Sequence, residues 1–388
     1  ASLTRIEEEI QRFWRRQDPA LAAPTTLPDA TLFTILQEPL AVAGQSWSDQ
    51  VVLLANADLI ARYATMRGST VRRWAGWLCH GLRIEVAVER LLESRTRDYD
   101  LAEFNSVCRD AATRGLKRSR ALSERLGVQP EPSDTAVSLT TQAIAAVWSA
   151  LWHLWKAGRL RREWRAVDIC PRCATPLSQD EASRSATETE RTNIWLRLPW
   201  ASQADTYFLA FSPVPWTLTG MVALAVHPDL DYAVVELGDQ MPADHTRLLL
   251  VEAALDRTLM GNYQIIRLLR GKTLKDAQYH PPFRFLPTDQ AVDRVILSRD
   301  VSPDLGTGLY PVTPGSDALS LKLAQQLGLP QPQLLDEWGM LGDEMGRWRG
   351  LSPWEAEPLL IENLETRGLL FKQERDVLPV ATLSLIHI

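Results

Sequence analysis

Cys170 and Cys173 stand as a C-x-x-C pair, and two thiolates at that spacing supply half of a tetrahedral zinc site. The other two cysteines, Cys79 and Cys108, are far from this pair, so the chain has no secreted-type disulfide framework. Cys108 sits in a helical stretch and reads as a small buried hydrophobe, with a reactive thiol as the alternative. His80 follows Cys79 directly; an imidazole there could be catalytic or could close a strand-end turn, and the residues alone leave both open. Trp148, Trp152 and Trp155 recur at i, i+4 and i+7. Such a row can stack on bases, but we read it as a packed stripe. Arg159, Arg161, Arg162 and Arg165 form a local basic cluster, able to meet phosphates but read here as a solvated helix end.

The elements that must hold these residues are those of an ordinary globular protein. The 388-residue chain is 45% hydrophobic and 23% charged, long enough for two or more cored domains. A formal net charge of -6 neither requires nor excludes a nucleic-acid partner, because binding depends on local basic patches. The opening residues are charged and amphipathic rather than signal-like, and the most apolar helical stretch, 143–155, is too short to span a bilayer. These features lead us to expect a soluble protein in a reducing, cytoplasmic setting, with no membrane partner.

Ile6, Ile10, Phe13 and Trp14 have helical spacing, with acidic residues early and Arg15-Arg16 late, an order that suits the helix dipole. A Pro/Thr/Ala-rich connector follows over 19–28. Residues 31–36 read as a buried strand, 51–63 as a helix closed by Met66-Arg67-Gly68, and 102–125 as a long helix. The two prolines in 129–134 mark a break. From Thr192 the pattern changes to short alternating strands at 194–198, 206–211, 222–227, 232–237 and 294–297.

Several ordered motifs carry a family resemblance. Gly76-Trp77-Leu78-Cys79-His80-Gly81-Leu82-Arg83-Ile84-Glu85 resembles the GWDCHGLPIE signature of isoleucyl-tRNA synthetases. Phe104-Asn105 with Cys108-Arg109 resembles FNQACRE, and Cys170-Pro171-Arg172-Cys173-Ala174-Thr175-Pro176-Leu177 resembles the CPRCGTPLS knuckle. Pro215-Trp216-Thr217-Leu218-Thr219-Gly220 through His227-Pro228-Asp229 resembles the segment PWTLPG…HPD, and Gly306-Thr307-Gly308 resembles the start of GTGIVHxAP. The fold implied is α/β: the N-terminal part of a Rossmann-like (HUP-type) class I synthetase catalytic domain with an inserted β-rich editing domain. Residues 1–165 would be the first half of the catalytic domain with its leading helix, 166–190 a zinc-knuckle-like connector and 191–375 the editing domain. Residues 376–388 would end the matched region, and 383–388 resemble a translated sequencing adapter. The second half of the catalytic domain, with its KMSKS loop, and the anticodon-binding domain are not among the matched parts.

The resemblance implies ATP with magnesium, isoleucine and tRNA as substrates and partners, a zinc ion for which only half a site is present, and a monomer. It also shows where the chain departs from the family. The HIGH positions fall on Trp47-Ser48-Asp49-Gln50, with neither histidine, although Pro39 and Gly44 of the surrounding loop are retained. The ATP and amino-acid pocket would take Pro39, Gly44, Gly76, Trp77, Leu78 and His80, with Leu78 where the family has an aspartate for the amino group. The editing pocket would take Ser212, Pro215, Trp216, Thr217, Thr307 and Ser320. Its threonines become Ser212, Pro213 and Val214; its asparagine becomes Met221; its histidine becomes Pro311; and its aspartate becomes Ser320, with Asp317 three residues earlier as a substitute if the loop shifts. His227 reads as structural. We therefore expect either isoleucine–tRNA ligase chemistry with hydrolytic editing, or, with both sites stripped of their reacting groups, a non-catalytic relative that binds tRNA or protein.

Overall fold

The computed structural model describes residues 3–17, 31–43, 47–93, 98–128, 135–170, 175–184, 186–237, 246–261, 263–285 and 292–381. They form two compact units, one up to Arg162 and one from Glu163 onward. Among the described residues no helix is long and apolar enough to cross a membrane.

The first unit opens with α1 (Leu3–Gln17), a helix with Ile6, Ile10 and Phe13 on one stripe and the i,i+4 pair Arg5–Glu9 at 3.3 Å on its polar side. The sheet follows: β1 (Leu32–Leu36), β2 (Leu40–Ala41), then α2 (Trp47–Met66) and β3 (Thr70–Leu78). After β3 come α3 (Leu82–Leu92), α4 (Leu101–Arg125), β4 (Thr135–Val137) and α5 (Thr141–Lys156). β1, β2 and β4 each pair in parallel with β3. Parallel neighbours need crossovers, which α2 and the α3–α4 pair supply. Gly68, at φ 88°, turns α2 into β3 in a conformation that disfavours side chains. The buried Arg73 of β3 bonds Asp58 of α2 at 3.0 Å, tying helix to strand. Leu40, Leu54, Trp77, Ile84, Val88 and Phe104 pack into the core.

Two expectations are corrected here. The strand over 31–36 forms but is not buried: Leu32, Phe33 and Leu36 are 57%, 41% and 83% exposed. An apolar run shows that a strand can be covered, not that another layer covers it. The tryptophan stripe is likewise not packed. No residue of α5 is buried, and Trp148, Trp152 and Trp155 all stand exposed. Helical periodicity fixes which residues share a face and says nothing of what lies over it. The break at 129–134 lies outside the described residues.

In the second unit an antiparallel bridge between Ile169 and Pro176 precedes α6 (Gln179–Arg184) and the long strand β5 (Ala186–Pro199). Then come β6 (Thr206–Ser212), a 3-10 turn at Pro215–Gly220, β7 (Ala223–Val226), β8 (Asp231–Leu237), β9 (Arg247–Val251), α7 (Leu255–Leu259) and β10 (Tyr263–Arg270). The unit ends with β11 (Val295–Leu297), β12 (Leu309–Val312), α8 (Ala318–Leu327), α9 (Pro353–Thr366) and β13 (Leu370–Ala381). Six strands form one sheet in the order β10-β8-β9-β6-β5-β13, and β11-β7-β12 form a second. Alternation on β5 drives Ile194, Leu196 and Leu198 fully into the core. Each such leucine stabilises the fold by roughly 1.5–3 kcal/mol. β13 pairs with β5 from Leu370↔Leu196 to Ala381↔Ala186, so paired strand extends past 375 to Ala381. Ser352 and Glu355 form a capping box that fixes the start of α9, with Pro353 at its first position.

Candidate functional site

In the first unit, β2 and the start of α2 bring together the positions aligned with the HIGH turn. Ser48 and Asp49 are exposed in the first turn of α2, while Gln50 is 4% exposed and faces inward. Gln50 Nε2 donates to the Ala41 carbonyl at 3.2 Å, and its buried Oε1 finds no partner among the described residues. The side chain thus joins helix to strand with one of its two amide N–H groups. Gly44 and the side chain of Trp47 lie outside the described residues. Pro39 is exposed, and Gly76 is where the backbones crowd: a Cβ there would come within 2.9 Å of the Ala136 carbonyl and 3.4 Å of Pro39. Trp77 is core, whereas Leu78 is 44% exposed at the strand end.

His80 Nδ1 lies 3.0 Å from Ser138 Oγ, which also accepts the Cys79 N–H at 2.8 Å. That geometry joins the end of β3 to the loop after β4 and gives the imidazole a structural partner. Cys108 is half-buried, and burial, then Glu85 and Glu89, push its thiol up to about 11. A thiol so far from ionising is a poor nucleophile at neutral pH. Arg159, Arg161, Arg162 and Arg165 are all exposed.

On either side of the cysteine pair, Cys170 N–H donates to the Thr175 carbonyl at 3.0 Å and Leu177 N–H to the Asp168 carbonyl at 2.7 Å. Cys170 is buried, and Cys173 lies outside the described residues. Among the described residues no three ligating side chains cluster about a common point. Two thiolates alone do not complete the site that zinc prefers.

The second unit holds a cavity of about 290 Å³. The end of β6, the 3-10 turn, the loop before β12, β12 itself and the start of α8 line it. Of the residues aligned with editing, Ser212, Trp216 and Thr217 line it, together with Pro213, Val214 and Pro311. Their hydroxyls are engaged locally. Ser212 Oγ accepts the Val214 N–H at 3.3 Å, and Thr217 Oγ1 donates to the Val214 carbonyl at 2.7 Å. Pro215 is buried in the 3-10 turn. Thr307 is fully buried with Oγ1 unpartnered among the described residues, and its carbonyl accepts Val251 N–H at 2.9 Å.

Ser320 does not line the cavity: it is fully buried, and its Oγ accepts the Thr313 N–H at 2.9 Å. Asp317 does line it, as the cap of α8. Its Oδ1 accepts Tyr310 Oη–H at 2.5 Å and Ser320 N–H at 2.8 Å. Burial and that carboxylate raise the Tyr310 hydroxyl well above the ordinary tyrosine range, so it stays protonated and donates.

Tyr310, Thr313 and Ser316 line the same wall and had no signature in the sequence beyond following Gly306-Thr307-Gly308. The wall is held from behind. The buried Tyr232 donates to the Gly308 carbonyl at 2.9 Å and accepts the His227 N–H at 2.9 Å. His227 Nδ1 accepts the Asp229 N–H at 3.1 Å, a strand-end role. Arg257 donates to the Gly306 carbonyl at 2.8 Å and to that of Pro303.

A family model described as tRNA synthetases class I (I, L, M and V) matches residues 9–347. The chain is 31% identical over 383 residues to "Isoleucine--tRNA ligase" of Thermus thermophilus, covering 95% of this chain and 35% of that protein. It is 27% identical over 378 residues to the protein of the same name from Clostridium tetani, covering 96% of this chain and 36% of that one. To that of Methanothermobacter marburgensis it is 30% identical over 376 residues, covering 95% and 35%. The chain therefore spans about 35% of the length of these relatives.

Proposed function

Given that the chain belongs to the class I tRNA synthetases of the I, L, M and V group, we propose that it is an isoleucine-type member in which the scaffold persists and neither site performs its family chemistry. One observation carries this reading. Where the resemblance places three threonines and a histidine, the cavity wall offers Ser212, Pro213, Val214 and Pro311, of which Ser212 alone keeps a hydroxyl.

Hydrolysis and adenylation both depend on donors aimed at charge that develops in the transition state. Loss of one such donor costs roughly a hundred- to a thousand-fold. Proline and valine side chains have none. At the other site Gln50 spends an amide N–H on Ala41, and the exposed Asp49 would repel a phosphate. These residues do not fit ATP with magnesium. The partners in keeping with the family are tRNA and small amino acids, bound without being joined or cleaved. A second reading, intact charging and proofreading, draws on the 31% identity to a named ligase.

The two separate in one assay. Isoleucine-dependent ATP–pyrophosphate exchange, measured on the full reading frame that carries this chain, stays at background if the reading holds. Exchange at an ordinary synthetase rate overturns it.

A further inference from the structure

α5 has the residue pattern of a packed helix, yet none of its residues is buried. Ile144, Trp148, Leu151 and Trp155 recur at steps of four, three and four. That alternation is the a/d seam by which one helix packs along another. Val147 and Trp152 flank the seam, so its edges are apolar too. Thr140 caps the helix, its hydroxyl accepting the Ala143 N–H at 3.2 Å, so the first turn is fixed locally.

The area of this face decides what can cover it. Trp148, Trp152 and Trp155 are 68%, 56% and 59% exposed. With the aliphatic residues beside them they present on the order of 800 Å² of apolar surface. A typical monomer leaves roughly 300–600 Å² in its largest patch, whereas a stable interface takes about 800 Å² from each partner. A second copy of the same face supplies the matching area.

Charge sets the direction of pairing. Residues 135–162 contain no aspartate or glutamate, and their cations, Lys156, Arg159, Arg161 and Arg162, all stand at or just past the C-terminal end of α5. Parallel pairing would bring two such clusters together. Antiparallel pairing parts them by the length of the helix, about 24 Å, which exceeds the Debye length of about 8 Å at physiological ionic strength. It also opposes the two helix dipoles.

We propose that two copies of this chain associate through α5, side by side and antiparallel. The two-fold axis falls between Trp148 and Leu151, so Trp148 of one copy faces Leu151 of the other. This departs from the monomer that the resemblance implies, and it does not depend on whether either site is active.

Sedimentation velocity of the purified 388-residue chain over a concentration series tests it. A monomer–dimer equilibrium is expected. Trp148→Glu or Leu151→Lys should raise its dissociation constant roughly ten-fold or more, since each puts a charge into an apolar seam. Ala146→Glu, on the opposite side of α5, should leave the equilibrium unchanged. All three positions are exposed in the single chain, and circular dichroism checks that each variant is folded. An equimolar mixture of the Trp148→Glu and Leu151→Lys chains should dimerise better than either alone, because antiparallel pairing sets the two new charges opposite one another. A monomer at every concentration, growth beyond two copies, an equal effect of Ala146→Glu, or no recovery in the mixture each overturns the proposal. A monomer that binds single-stranded RNA, and loses it in Trp148→Glu, also overturns it and assigns the stripe to base stacking. Loss of the dimer in the full reading frame that carries this chain gives the face to another part of the polypeptide and overturns the second copy as its occupant.

Discussion

Gln50 Nε2 donates to the carbonyl oxygen of Ala41 at 3.2 Å, so the residue aligned with the last HIGH position joins α2 to β2. The same side chain buries its Oε1 without a partner among the described residues. One of the two amide N–H groups is thereby committed to the scaffold. Gln50→Ala is therefore expected to lower stability by about 1 kcal/mol, the net value of one such bond. ATP–pyrophosphate exchange should not change. Urea unfolding and the exchange assay on the same variant check both halves. Exchange above background in the parent that the variant loses, with stability unchanged, would reverse the assignment.

Stability should vary with pH through Glu357 of α9. This residue is 9% exposed with Oε2 unpartnered among the described residues; burial lifts its carboxyl from 4.5 to about 6, and Arg191 offsets part of that rise. An acid whose folded value is raised binds its proton more tightly folded than unfolded. Its stabilising contribution is complete below 4.5, is lost as pH climbs through about 6, and is level above that. The loss is on the order of 2 kcal/mol. Glu357→Gln should flatten this part of the profile and raise the melting temperature at pH 7.5 by a few degrees. A profile as steep as the parent's assigns the slope to another group.

The turn behind the cavity should tolerate no side chain. Gly308 has φ 70°, and a Cβ there would come within 2.6 Å of Val251 Cβ. Gly308→Ala combines a left-handed backbone penalty with overpacking against a fully packed strand, at a cost of about 2 kcal/mol or more. Chemical denaturation measures it. A neutral effect would mean that β9 and the turn separate easily, contrary to the Val251–Thr307 bond at 2.9 Å.

Cys108 should resist alkylation. Its thiol, pushed up to about 11 against an ordinary 9.0, has about a hundred-fold less thiolate at pH 8. Peptide mapping after iodoacetamide treatment of the folded chain should find Cys108 largely unmodified, and labelled once the chain is unfolded. Rapid labelling in the folded state would reopen a reactive role.

How much of this was legible in the sequence varies with the range of the interaction. Local patterns read correctly: the alternation that buries Ile194, Leu196 and Leu198, and the turn at Gly68. β10 escaped notice because Ile265, Ile266 and Leu268 are exposed on an edge strand and leave no alternating pattern. β13 escaped because its partner β5 supplies backbone bonds to a charged run, Gln373 to Asp376, that needs no apolar face. Covering layers were not legible at all, which is why β1 and α5 were read as buried. The polar wall was half legible. Asp317 could be noted as three residues from the expected aspartate, but its bond to Tyr310 depends on how α8 packs on β12.

Valyl-tRNA offered to the purified 388-residue chain tests the central claim most directly, because the whole cavity lies within this polypeptide. The expected result is release of valine at the spontaneous rate of the ester, unchanged by Ser212→Ala or Asp317→Asn. Accelerated release that either substitution abolishes would contradict it, and would show that Ser212 or Asp317 has taken over the work of the residues replaced at Pro213, Val214 and Pro311.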